Sequence, residues 1–258
     1  MSEPHGLRSP DRARPDEPQP SPSMREMASA AVEVGRRLPG MALATVRYLQ
    51  HRSDVTHELV DLEGLPEGAP DQDREFPGDP ATVLRAGAGF GPVYRRTYRV
   101  VVEDPELGPE ELITLLLRDP NCASPTEVSR FEPTTGPSRE PGAEFAVVMP
   151  GPWHCFVRVV ERTPTGFGFI TLRGHMEAGE IAFETCWDDD GRLVFTIESW
   201  ARSGDRLSGW AYRRVPVIRE MQLHMWVHVC EQVAAMARGR QVGDVVVTTH
   251  RWKGADRG

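Results

Sequence analysis

From residue 126 to residue 202 the sequence repeats one pattern: a short segment rich in valine, isoleucine and phenylalanine, then a turn. "TEVSRFEP", "EFAVVMPG", "CFVRVVERT", "FGFITLRG", "EIAFETCW" and "RLVFTIESWAR" follow one another closely, separated by breaks such as Thr163-Pro164-Thr165-Gly166 and Asp188-Asp189-Asp190-Gly191. A parallel crossover needs about a dozen residues, and these connections are shorter, so consecutive segments must be antiparallel neighbours. A meander of strands follows.

The last pair also specifies its register. If Asp189-Asp190-Gly191 is a three-residue loop with glycine in the left-handed position, Trp187 opposes Leu193, Thr185 opposes Phe195 and Phe183 opposes Ile197. Glu180, Glu184 and Glu198 then share the other face with Thr196 and Trp200. A slip by one residue would set carboxylates against phenylalanine and isoleucine, which costs far more than pairing gains.

Helices flank the meander. "YRRTYRVVVED" alternates like a strand with one wet face, and Gly108-Pro109-Glu110-Glu111 opens a short helix with proline at its first position and acids in its first turn. Leu112, Ile113, Leu115, Leu116 and Leu117 give that helix a broad apolar face. Near the C-terminus a break at Pro216 precedes a helix of about twenty residues ending at Gly239. One apolar stripe of this helix runs through Ile218, Met221, Met225, Val229, Val233 and Met236, and a second through Leu223, Trp226, Val227 and Cys230. A helix apolar on two sides needs cover on two sides. "QVGDVVVTTHRW" reads as a last strand, so the fold class is α+β.

The N-terminal third differs in kind. Residues 1–23 are rich in Pro, Ser, Arg, Asp and Glu and read as a disordered tail. Residues 24–92 read as a helical and irregular extension, with two short helices meeting at Leu38-Pro39-Gly40 and a Pro/Gly/Asp-rich stretch after His51. "GAGFG" neither follows a strand nor opens a helix, so it is no dinucleotide loop. The main domain is assigned to residues 93–250.

A net charge of −8 argues against nucleic acid and anionic membranes as partners, since both demand clustered Lys and Arg. No apolar run reaches the roughly 20 residues of a membrane span, and the first residues lack the apolar centre of a signal peptide, which points to the cytoplasm. Cys122, Cys155, Cys186 and Cys230 show no short paired spacing and read as reduced packing groups.

Polar candidates are few. His175 and Glu177, between two glycines in "RGHMEAGE", fit turn hydrogen bonds; over a cavity mouth His175 would be the general base available near neutral pH. His224 and His228 have the four-residue spacing of zinc ligands but lack the glutamate of a protease motif, so neither a metal nor a cofactor is assigned. Arg95, Arg96, Arg99, Arg158, Arg173 and Arg202 fall on alternating strand positions or in turns; one of them is a candidate anchor for a ligand carboxylate.

"MPGPWHCFVRVVERTPTGFGFITLRGHMEAGEIAFET" followed by "FTIESWARSGDRLSGWAYRRVPVIREMQLHMW" resembles the domain-of-unknown-function-nineteen-ninety family, in its Gly-Pro-Trp, Val-Arg-Val-Val and Thr-Leu-x-Gly-His-x-Glu-x-Gly motifs. Cys155-Phe156 stands where similar proteins usually have Gly-Pro. The resemblance implies a helix-grip architecture similar to START and Bet v 1-like proteins: a curved antiparallel sheet around a long C-terminal helix, with a cavity between. It implies no activity; Gly151, Pro152, Trp153, Gly174, His175, Glu177 and Gly179 match motif positions.

Three functions are consistent with this reading. The first is sheltering an apolar or amphipathic small molecule against Trp153, Met221, Met225, Trp226 and Val229. The second is a cyclase, hydratase or hydrolase using His175 with Glu177 or Glu180 as acid/base partners. The third is an interaction protein whose surplus apolar helix surface pairs with a second copy of the chain.

Overall fold

The computed structural model describes residues 55–63, 74–126, 129–136, 138–149, 155–204 and 216–252. The N-terminal tail, the paired helices before His51, the Gly151-Pro152-Trp153 motif and the segment before Pro216 lie outside the described residues, as do the side chains of Ile218 and Met221.

The strands are β1 (Val55–Leu62), β2 (Phe90–Glu103), β3 (Arg130–Pro133), β4 (Glu144–Val148), β5 (Cys155–Thr163), β6 (Gly166–Thr171), β7 (Glu177–Trp187), β8 (Leu193–Ser203), β9 (Arg240–Gln241) and β10 (Val245–Trp252). They form one large, curved sheet in the order β1-β10-β2-β8-β7-β6-β5-β4-β3, with the two-residue β9 paired to β2. Strands β3 to β8 are the expected meander, each antiparallel to the next. The β7–β8 register is the one alternation demands: Trp187 opposes Leu193, Thr185 opposes Phe195 and Phe183 opposes Ile197. Gly191, at φ +74°, supplies the left-handed turn.

Two helices lie against the sheet. Helix α1 (Pro109–Arg118) starts where proline and the acids place it, with the Gly108 N–H donating to the Glu111 carboxylate at 3.0 Å. Helix α2 (Pro216–Met236) lies against β2, β8, β9 and β10. Its Leu223, Val227, Cys230, Val233 and Ala234 enter the main core with Tyr98, Val100 and Val102 of β2 and Leu193, Phe195 and Ile197 of β8. Each large side chain buried this way contributes about 1.5–3 kcal/mol. Phe131, Phe145, Phe167, Phe169 and Phe183 continue this core in edge and stacked contacts, and Trp226 of α2 meets Phe183 edge-on at 5.6 Å.

The stretch before residue 93 contributes more than an irregular extension would. β1 pairs with β10, the parallel exception in a sheet otherwise antiparallel. Phe76 and Val83 pack on the outer face with Val160, Ile170 and Leu172. Arg158, buried on that face, fastens the segment: its guanidinium donates to the Glu144 carboxylate at 2.6 and 2.9 Å, to the carbonyls of Pro77 and Asp79 and to the Thr82 hydroxyl. Further along the same face Trp200 stacks on Trp252 at 5.5 Å beside Val93 and Leu62.

Candidate functional site

The inner face of the β2–β8 pair changes character along its length. In register, Val102 faces Leu193, Val100 faces Phe195 and Tyr98 faces Ile197; one step on, Arg96 faces Ser199 and Tyr94 faces Ala201. The apolar core therefore stops abruptly at Tyr98, and a polar floor begins at Arg96.

Helix α2 covers this boundary with Gln222. The Arg96 guanidinium donates to the Gln222 carbonyl oxygen at 2.9 Å, and the Gln222 amide donates to the Glu177 carboxylate at 2.6 Å. Sheet, helix and the start of β7 are thus joined through one side-chain amide. Beside this bridge lies a cleft of about 20 Å³ bordered by Tyr94, Arg96, Glu177, Ser199, Ser203 and Gln222, with Ala201 and Arg202 completing its wall. Arg96 also lies over the Tyr94 ring, 5.3 Å from its centroid. Arg202 donates through Nε to the Gly91 carbonyl at 2.7 Å.

Tyr98, the next residue on this face toward the apolar core, does not border the cleft. Its side chain is fully buried, and its hydroxyl is approached by the Arg96 guanidinium as a loose hydrogen-bond contact and by the charge of Glu177. Burial pushes its pKa up to about 12, so the phenol keeps its proton. Burial likewise raises the Cys155 thiol to about 11 and drives that of Cys230 upward, which leaves both as packing groups rather than thiolate nucleophiles.

The residues expected to act together are divided. Glu177 reaches the inner cleft through Gln222, whereas Glu180, opposite Trp200, belongs to the outer face with Arg74 3.8 Å away. Burial raises the Glu180 pKa against the pull of Arg74 and Arg85. His175 holds its own turn: ring Nδ1 accepts the Glu177 backbone N–H at 3.0 Å. Burial lowers its pKa and favours the neutral ring that such an acceptor requires. Of the expected ligand-lining residues, Met225 and Val229 are buried and Trp226 is partly buried against Phe183; none of the three borders the polar cleft, and Trp153 lies outside the described residues. Among the described residues no three His, Cys, Asp or Glu side chains gather as a metal site.

The Gly-His-x-Glu-x-Gly motif now has physical roles. Gly174 adopts φ +92°, His175 locks the turn, and the Gly179 N–H donates to the Thr171 hydroxyl oxygen at 3.0 Å. A Cβ on Gly179 would stand 1.9 Å from the Trp200 carbonyl oxygen, so only glycine fits there. Arg96 was one of six arginines offered by the sequence as a candidate carboxylate anchor, and Gln222 was not named. The signal for Arg96 was its neighbour, because adjacent arginines at 95 and 96 in one strand must point to opposite faces.

Residues 123–232 match the family model described as a domain of unknown function, DUF1990. No curated protein sequence matches the chain. Among solved structures, the chain is similar to the hypothetical protein jhp0584 from Helicobacter pylori (TM-score 0.42, 11% identity, 55% of this chain and 86% of that one). It is also similar to Ara h 8.0201 (TM-score 0.41, 10% identity, 57% and 98% covered) and to CV1439 from Chromobacterium violaceum (TM-score 0.39, 13% identity, 57% and 98%).

Proposed function

We propose that the chain, whose residues 123–232 match the DUF1990 family, is a helix-grip binding protein that holds an amphipathic small molecule between helix α2 and the inner face of the sheet. The observation that carries this reading is the polar cleft at the end of an apolar core. Arg96 is only 8% exposed there. Burying a guanidinium costs several kcal/mol even after relaxation, and an aliphatic side chain would pack this boundary at far lower cost. Retaining arginine beside open space suits recognition of a ligand's polar end. Affinity would come mainly from the apolar body, at about 25 cal/mol per Å² removed from water.

Binding is preferred over acid/base catalysis because His175 is engaged in its turn and Glu180 lies across the sheet from Glu177. Thermal unfolding of the full chain with a panel of lipids, isoprenoids and polycyclic aromatics tests the proposal. At least one class should raise the melting temperature in proportion to the logarithm of its concentration. A flat response across the panel would overturn it.

A further inference from the structure

We infer that the free edge of β1 is an interface, and that its partner is the same edge of a second copy of the chain, paired antiparallel about a two-fold axis at Leu59. This goes beyond the binding reading and does not rest on it.

The two ends of the sheet are built differently, which is the first ground. At the β3 end the edge is closed. The Asn121 side chain stands in for a neighbouring strand, accepting the Phe131 N–H and donating to the Phe131 carbonyl, both at 2.8 Å. Pro133 has no N–H to offer, and the strand is four residues long. These are devices by which sheets avoid pairing with other chains. At the other end β1 runs for eight residues without a proline, and among the described residues no strand pairs with the side turned away from β10. Thr56, His57, Glu58 and Leu59 are exposed in succession, so neither face of this stretch is covered, and Leu59 alone is 55% exposed. A long, open edge carrying an exposed leucine is a template for a further strand.

The second ground is that the edge complements itself. Opposed residues in an antiparallel pair share a face, so a two-fold axis normal to the sheet must pass through a residue rather than between two. Centred on Glu58, it would oppose two carboxylates; centred on Val60, it would set Leu59 against the partner's Asp61. Centred on Leu59, it brings the two exposed leucines together and opposes His57 to the partner's Asp61 twice over, while Glu58, on the other face, keeps its access to water. A single strand pair buries less than the roughly 1,200–2,000 Å² of a standard interface, so the dimer should be weak, with a Kd on the order of 10 µM.

Sedimentation velocity of the full chain, from one to several hundred micromolar, tests the inference. The chain should pass from monomer to dimer across that range. Leu59→Lys, which sets two ammonium groups on the axis, should weaken the dimer about tenfold or more, whereas Val148→Lys, an exposed position beside the β3 edge, should leave it unchanged. Urea unfolding should be the same for both variants as for the parent, since neither side chain is buried. The axis is read by oxidation: with Cys122→Ser and Cys186→Ser in place, Leu59→Cys should cross-link two chains far more readily than Glu58→Cys, because Cβ atoms opposed across a strand pair lie about 4.5–5.5 Å apart, close to disulfide spacing. A chain that stays monomeric throughout, or a dimer that Leu59→Lys leaves intact, overturns the inference. So does a dimer in which Glu58→Cys cross-links as well as Leu59→Cys, since the axis then lies elsewhere.

Discussion

Two buried arginines sit on opposite faces of the same sheet, and their surroundings differ. Arg158, on the outer face, spends its guanidinium on Glu144, Thr82 and two backbone carbonyls, all within the protein. Arg96, on the inner face, bonds the Gln222 amide and lies over the Tyr94 ring at the border of a cleft. Both are under one-tenth exposed. Burial alone therefore says little about role; what separates the two is what adjoins the guanidinium, packed protein at Arg158 and a cleft at Arg96.

The contrast breaks most visibly at Arg158. Arg158→Met should cost about 3–5 kcal/mol in urea unfolding, because it leaves the Glu144 carboxylate and the Pro77 and Asp79 carbonyls without their donor. Arg96→Met should cost less, about 1–2 kcal/mol, since Gln222 and Glu177 border a cleft that water can enter. Equal losses would mean that the two arginines have the same job. Tyr98→Phe sharpens the inner half of the comparison: removing a buried hydroxyl with no hydrogen bond of normal geometry should leave stability unchanged or raise it by about 1 kcal/mol, and a clear loss would show that its contact with Arg96 is a working hydrogen bond.

The smallest effects are in pH dependence. The folded pKa of His175 lies below its ordinary value of 6.5, so between the two the unfolded chain binds the extra proton and stability falls on acidification through that window. Glu180 has the opposite sign. Its folded pKa is raised above 4.5, so its contribution is present at lower pH and is lost as pH rises through the folded value. Melting temperature followed from pH 4 to 8 should accordingly change slope in opposite senses for His175→Gln and Glu180→Gln. Parallel curves would refute the assignment of both shifts to burial in the folded state.

The meander and its last hairpin were legible because side-chain alternation of period two fixes face and register together, and Gly191 marks the loop. The β1 strand was not. "VTHELVDL" is largely exposed, shows no apolar alternation, and finds its partner across the whole chain without a turn to announce it. Phe76 and Val83 stand singly among prolines, glycines and acids, and the bonds that hold their segment run from Arg158 to backbone carbonyls, which no side-chain pattern encodes. The site was half legible: His175 read correctly as a turn residue, whereas the grouping of Glu177 with Glu180 ignored that strand positions three apart face opposite ways. Gln222 gives no sequence signal, because its importance comes from lying between two strands distant in the chain.

The parallel seam between β1 and β10 has a bearing on how the molecule is made. Asp61 and Arg251, ion-paired across that seam, are 190 residues apart, so during synthesis β1 must wait, its edge uncovered, until β10 has been made. Pairings of such long range slow folding and expose the nascent chain to wrong partners. On the ribosome, the piece assembled first should be the hairpin series, with β1 and β10 pairing afterwards.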